Sequence, residues 1–425
     1  MSAQMILSSQ EKVVVTIELL VSGSMLDQEE HIQDALNEAG ILFTSDALQR
    51  FDADGWPLIF GSTKWTSKGL EPKHYQTPYG EVKVARHVYQ TAQGGATYCP
   101  LDRDARIVVS STPRFAKQVT NKYAQMAAPQ VVSDLKENHG RTVTHPFIQH
   151  VCEAVGSVAQ AKEEDWHYAA PELDEPVASI AIGMDGTCML MCRDGYRETM
   201  AGNLSLYNAQ GERLYTTYVG ATPEYGKATF KGRMEREIAQ VKKHYPTARM
   251  IGVADGAAEN WIFLEQHTED QVLDFYHASE YVGKVAQAIF SKKSEREPWL
   301  GDRLHRLKHK QGAAGRLIKE MEGFEQREKL SKRAREDLAV SLTYFRNHKH
   351  QMNYARYRAK GWPIGSGVTE AACKTLVKQR LCASGMRWKE KGAAVVLSLR
   401  CLIRSTGRWQ QFWGKINQYG FPVVG

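Results

Sequence analysis

Asp185 and Asp255 each follow a short apolar run and each precede a glycine. Val177-Ala-Ser-Ile-Ala-Ile-Gly-Met184 leads into Asp185-Gly186, and Ala248-Arg-Met-Ile-Gly-Val-Ala254 leads into Asp255-Gly256. Such runs read as buried strands, and acids at the carboxyl ends of strands in an open α/β sheet project where ligands bind. The Asp-Gly pair also turns a chain that binds nothing, so each acid alone has two readings. A third acid, Glu370, falls in the first turn of a helix expected after Gly361-Trp-Pro-Ile-Gly-Ser-Gly367, with Ser366 or a neighbour as its cap. Residues four apart share a helix face, which stacks Glu370, Lys374 and Lys378 in one column, with Arg380 beside it and Arg387-Trp388 beyond a Ser-Gly turn. An acid beside cations suits phosphate chemistry. A solvated helix with two salt-bridge spacings gives the same column.

The elements that must position these residues follow from the rest of the chain. At 425 residues it is long enough for two to four folded units with a large core. Lys plus Arg number 55 against 48 Asp plus Glu, a formal charge of +7 that tilts towards polyanionic partners. Seven cysteines without a Cys-x-x-Cys pair argue against a zinc ribbon or a disulfide framework and favour a reducing, cytoplasmic setting. The apolar run Val13–Val21 is interrupted by Glu18 and has no cationic segment before it, so neither a signal peptide nor a membrane span is expected.

In chain order, a strand-like run is followed by a short helix over His31–Gly40. Residues 51–99 then read as a small β module whose Lys64, Lys68, Lys73, Lys83 and Arg86 either track a nucleic-acid backbone or decorate a solvated face. Three helices follow: Thr112–Met126, one after Pro129 to Glu137, and one from Thr144 or His145 to Val155. Their glycine-containing turn matches a helix-turn-helix, as it would match any small helical bundle. A recognition helix there presents His145, Gln149 and His150, with Arg141 nearby, and turns Phe147, Ile148, Val151 and Val155 inwards. After a Pro-containing acidic linker come strands Val177–Met184, Cys188–Cys192, Leu204–Tyr207, Arg213–Val219, Ala248–Ala254 and Gln271–His277, with helices between the later ones. Residues 291–357 read as a cationic helical insertion, because the strand-rich pattern before them is completed only by the Glu370 helix.

The order Asp185, Asp255, Glu370 on strand, strand and helix resembles the Asp-Asp-Glu transposases, whose catalytic domain has a ribonuclease H-like fold. Tyr98-Cys-Pro-Leu-Asp102, Thr112-Pro-Arg-Phe-Ala116, Asn138-His-Gly-Arg141, Phe275-Tyr-His-Ala278 and the Gly365–Trp388 block are similar to bacterial insertion-sequence transposases of the ISKra4 type, over nearly the full length. Asp274-Phe-Tyr-His277 matches a further family pattern, an acid or cysteine with a histidine three positions on; paired cysteines common in the β module of relatives are missing, since Cys99 stands alone.

The resemblance implies an α/β protein: a ribonuclease H-like core with a helical insertion, preceded by a small β module and a helix-turn-helix region. The expected divisions are 1–110 for the N-terminal region, 111–160 for the helix-turn-helix, 161–176 for a linker, 177–290 and 358–405 for the two parts of the core, 291–357 for the insertion and 406–425 for the tail. It implies metal-dependent cleavage and strand transfer at terminal inverted repeats, with two Mg2+ ions per site (Mn2+ substituting) held by Asp185, Asp255 and Glu370, and with His277 as a further catalytic candidate. Two such ions about 3.5–4 Å apart serve the attacking and leaving oxygens of a phosphodiester. The implied partners are double-stranded repeat and target DNA, contacted by Lys374, Lys378, Arg380, Arg387, Trp388, Arg141, His145 and Gln149, and a second copy of the chain in a homodimer or larger multimer. The implied location is the bacterial cytoplasm at the nucleoid, with no membrane. Two other readings use the same residues differently: a catalytically silent DNA-binding regulator, and a two-carboxylate glycosidase, which leaves the lysine column without a purpose.

Overall fold

Alternating apolar residues and turn glycines build the sheets, and the computed structural model describes residues 2–19, 21–326 and 330–421. The chain divides into two compact units, one of Met1–Tyr168, Ser398–Ile403 and Arg408–Gly425, the other of Ala169–Leu397 and Arg404–Gly407.

In the first unit β1 (Ala3–Ser8) and β2 (Val13–Ile17) form an antiparallel hairpin, followed by α1 (Met25–Gln49). The helix starts earlier and ends later than the expected His31–Gly40, because Ser24 and Asp27 close a capping box at its start. Gly40 lies inside it and ends nothing. A Cβ there would stand 2.3 Å from the Tyr79 ring, so the glycine serves close packing. The β module is a three-stranded antiparallel sheet of β3 (Leu58–Phe60), β4 (Thr63–Gln76) and β5 (Glu81–Thr91), with Tyr75, Val82 and Val84 buried against Leu48 and Leu101. Two of its five cations turn away from solvent, Lys73 to an ion pair with Asp102 at 3.0 Å and Arg86 to the same carboxylate at 3.8 Å. Next come α2 (Pro100–Asp104), α3 (Pro113–Gln125), α4 (Ala128–His139) and α5 (His145–Lys162). Gly140, at φ 59, ends α4 in the left-handed conformation that glycine favours. The third helix continues past Val155 because Val158 and Ala159 carry on its buried face.

The second unit is a mixed five-stranded sheet with helices. Its order is β10-β9-β6-β7-β8, with β6 (Ser179–Met191), β7 (Gly195–Tyr207) and β8 (Arg213–Ala221) antiparallel, and β9 (Arg249–Ala254) and β10 (Asp270–Leu273) added parallel to β6. Cys188–Cys192 is thus no separate strand; most of it is the far half of β6. The amphipathic α6 (Ala228–His244) buries Met234, Ile238 and Val241, and α7 (Ala258–His267) and α8 (Phe275–Ile289) follow β9 and β10. The insertion is helical: α9 (Lys293–His309), α10 (Ala313–Glu325), α11 (Lys332–His348) and α12 (Tyr354–Ala359). It has an apolar side, and Leu317, Met321, Leu338 and Phe345 join the same core as the sheet. Helix α13 (Gly367–Ala372) runs through a π-helical stretch, Cys373–Lys378, into α14 (Gln379–Leu381). The chain ends in α15 (Glu390–Arg404) and α16 (Arg408–Tyr419), the latter burying Trp409, Phe412 and Trp413. No helix among the described residues is long and apolar enough to cross a membrane.

Candidate active site

Strand register brings the acids together. Ile182 of β6 is level with Gly252 of β9, where their parallel pairing stops; the same register carried three residues on sets Asp185 level with Asp255. Leu273 of β10 is level with Ala254, so one residue on Asp274 comes level with Asp255. Asp185 was expected at a strand end and lies mid-strand instead, opposite Ala201, because β7 continues the antiparallel ladder to Met191. Its other edge is what opens, since β9 has already turned away. Asp255 follows β9 directly, its Oδ1 accepting from Ala257 N at 3.1 Å and its carbonyl from the Tyr344 hydroxyl of α11 at 2.9 Å. Asn260 of α7, buried, donates to Met184 O at 3.2 Å and ties the Asp255 loop to the strand beside Asp185.

Glu370 is delivered by a close approach of helix to strand. Residues 183 and 185 share one face of β6, about 6.7 Å apart, and residues 369 and 373 are one helical turn, about 6 Å, apart. The two spacings match. Thr369 lies over Gly183, where a Cβ would fall 2.0 Å from its Oγ1, and the Cys373 thiol lies 3.8 Å from Asp185 Oδ2. Thr369 also donates to buried Asn203 at 2.8 Å. Burial and the neighbouring Asp185 charge push the Cys373 thiol up to about 12, so it meets Asp185 as a neutral donor.

Asp185, Asp255 and Glu370 line one cavity of about 320 Å3 with His277, Glu280 and Tyr276. Burial, reinforced by the charge of Asp255, raises the Asp185 carboxyl above the ordinary aspartate value. Among the described residues no lysine or arginine forms an ion pair with any of the three acids. Three uncompensated carboxylates of hard oxygen in one cavity fit a divalent cation such as Mg2+. Among the described residues, the group whose ligand atoms all lie within 4.8 Å of one another is Asp274, His277 and Glu370, which does not include Asp185 or Asp255. Asp274, however, is fully buried and already accepts four hydrogen bonds, from Tyr276 N and His277 N on Oδ1 and from Ser366 N and Oγ on Oδ2. A carboxylate has about four lone-pair sites, so Asp274 organises the site and leaves the open oxygens to Glu370. Ser366 Oγ lies 3.1 Å from Glu370 Oε1 as well, so its single proton serves one acid or the other.

This overturns the expected strand Gln271–His277: β10 stops at Leu273, since Asp274 caps α8 and puts Phe275-Tyr-His277 in its first turn. Asp274→Ala strips acceptors from buried donors, each costing about 1–3 kcal/mol. The expected result is a fall in the urea midpoint for losing the second unit's structure, larger than for Glu370→Ala; equal midpoints would contradict the role given to Asp274.

The nucleic-acid candidates divide. Lys374, Lys378, Arg387, His145 and His150 are exposed and Gln149 is half-buried. The lysine column fails as an extension of Glu370, because the π-helical stretch breaks the four-residue register and neither lysine pairs with that acid. Arg380 is buried, with its guanidinium 5.3 Å from the centre of the Trp388 ring. Trp388 is held in the fold: its Nε1 donates to Leu381 O at 2.8 Å and its backbone joins the end of β6. Arg141 is buried too, donating to Thr77 O at 3.0 Å and Gln76 Oε1 at 2.7 Å and facing the Phe115 ring, which removes it from direct base reading. Sequence reading missed Gly183, Asn203, Asn260 and Glu280 as parts of the site; no residue-type signal marks them, because each acts through a tertiary approach. Comparison of the chain with protein-family models gives no match, and comparison with curated proteins gives none either.

Proposed function

We propose that the chain is a DNA transposase of the Asp-Asp-Glu type, cutting at the terminal inverted repeats of a mobile element and joining the ends to target DNA. The observation that carries this reading is the convergence of Asp185, Asp255 and Glu370, 185 positions apart at their extremes, in one uncompensated cavity. Support for a ribonuclease H-like core is the mixed sheet of three antiparallel strands extended by two parallel ones, with acids level on adjacent strands and the third acid on a helix after an insertion. Support for a DNA-facing N-terminal unit is the three-helix run with exposed His145 on its last member.

Bound Mg2+ would supply Lewis-acid charge on the scissile phosphate and an activated water or 3′-hydroxyl. Asp185, Asp255 and Glu370 would hold it. His277, 37% exposed with Nδ1 3.8 Å from Asp274 Oδ1, is turned so that its ring borders the cavity and can donate to a phosphate oxygen. Exposed Lys374, Lys378 and Arg387 follow Glu370 along the chain and suit the flanking backbone. The test is incubation of the purified protein with DNA carrying the repeats that flank its own gene, with and without Mg2+. Nicks whose 3′ ends map to the repeat boundary, only with metal, are expected. Site-specific binding without any cut in Mg2+ or Mn2+ would leave a DNA-binding regulator instead.

A further inference from the structure

The first unit holds a second cavity, of about 300 Å3, bordered by α3 and α4. Arg114, Lys117, Gln118 and Asn121 of α3 border it, and their spacing of three, four and seven puts them on one helix face. His139, in the last turn of α4, joins them. The charge there is unbalanced. The carboxylate of Asp134 is tied to Lys122 at 2.5 Å, while Arg114 and Lys117 have no ion-pair partner among the described residues. Arg141, 6% exposed, directs its guanidinium hydrogen bonds to the neutral carbonyl oxygens of Thr77 and Gln76, and Glu81, bonded to the Gln76 amide, is its counter-charge beyond them.

We propose that this cavity is a phosphate site that seats one backbone phosphate of double-stranded DNA, with Lys117 and Arg114 as its charged contacts and Gln118 and Asn121 as neutral donors. It rests on the DNA-binding part of the reading above. Cations and amides on one helix face, with no free carboxylate, form the donor set that phosphate oxygens take in protein–DNA interfaces and that fixes register without reading sequence. Phe115 and Leu135 form its apolar border, which lowers the local dielectric and strengthens the charges. Burial, and then Arg114, pull the Lys117 ammonium below the ordinary lysine value, the direction that an arriving anion reverses. Within the expected helix-turn-helix region, the sequence singles out Arg141, His145 and Gln149 as DNA contacts and names no residue of α3.

The experiment measures binding of a short fluorescent duplex of arbitrary sequence by the full chain across a salt series, for wild type, Arg114→Ala, Lys117→Ala, Lys117→Arg and Lys242→Ala, the last removing an exposed charge in the other unit. Each phosphate contact contributes about 0.9 to the slope of log K against log salt. The slope is expected to fall in Lys117→Ala and in Arg114→Ala, by no more than roughly 0.9 for the two combined because they share one phosphate, to return in Lys117→Arg and to stay unchanged in Lys242→Ala. Unchanged slopes in the two α3 variants overturn the proposal while leaving duplex binding itself intact. Absence of wild-type binding to any duplex overturns the DNA reading from which it starts. Orthophosphate that binds wild type but not Lys117→Ala, with duplex slopes unaffected, identifies a site for free anions and likewise overturns it.

Discussion

Asp185→Asn is expected to reduce metal-dependent nicking by roughly a thousandfold or more, the scale of losing several kcal/mol of metal-centred stabilisation, and to make the metal-free protein more stable. The two effects have one cause. Asparagine keeps the shape of the side chain, but removes a charge that is partly buried, faces Asp255 and Glu370, and has no cation beside it. Because the folded-state value of Asp185 is raised, the folded chain holds its proton more tightly than the unfolded chain. That contribution to stability is fully present below the ordinary aspartate value of 3.8 and is lost as pH rises through the raised value. Metal-free wild type should therefore lose thermal stability over the mildly acidic range as pH increases, and Asp185→Asn should flatten that segment of the profile. Mg2+ should stabilise wild type by mass action and leave the variant nearly unmoved. Thermal melts at several pH values, with and without Mg2+, check both signs. Equal Mg2+-induced shifts in the two proteins would contradict Asp185 as a ligand, whatever the cutting assay shows.

Legibility from sequence followed the range of the interaction concerned. The apolar runs before Asp185 and Asp255 were readable as strands, because a buried strand imposes its pattern on consecutive residues. What period and turn signals could not reveal was that Gly186 continues β6: a glycine after an aspartate usually turns, and only the ladder with β7 holds this one extended. The same limit hid the start of α8. Asp274 reads equally well as the last residue of a strand or the cap of a helix, and the choice is made by Ser366, 92 positions later, whose backbone and hydroxyl complete the Asp274 hydrogen bonds. The helix after Gly367 was readable, but its π-helical stretch was not. That irregularity begins at Cys373 and precedes Arg380, which is buried with its guanidinium against the Trp388 ring, so these two expected DNA contacts are held within the fold.

Gly183→Ala is expected to reduce cutting by about a hundredfold, although the glycine carries no chemistry. Its own backbone is ordinary strand, so the requirement is space and not conformation. A Cβ would meet Thr369 Oγ1 at 2.0 Å, Asn203 Oδ1 at 3.0 Å and Thr369 Cβ at 3.3 Å, and none of these can swing clear, since Thr369 and Asn203 are buried and bonded to each other. The helix must lift. Glu370 is the next residue on it, and a displacement of about 1 Å at a catalytic group can cost about a hundredfold in rate, with overpacking adding about 1–3 kcal/mol of destabilisation. Thr369→Ala removes the worst contact, at the cost of about 1 kcal/mol for its hydrogen bond, and leaves the approaches to Asn203 Oδ1 at 3.0 Å and to the residue-369 Cβ at 3.3 Å, which small shifts relieve. The double variant Gly183→Ala/Thr369→Ala should therefore cut DNA better than Gly183→Ala alone, a coupling that independent sites do not produce. If the two substitutions instead add, Gly183 does not set the height of the Glu370 helix, and the delivery of the third acid must be explained by another contact.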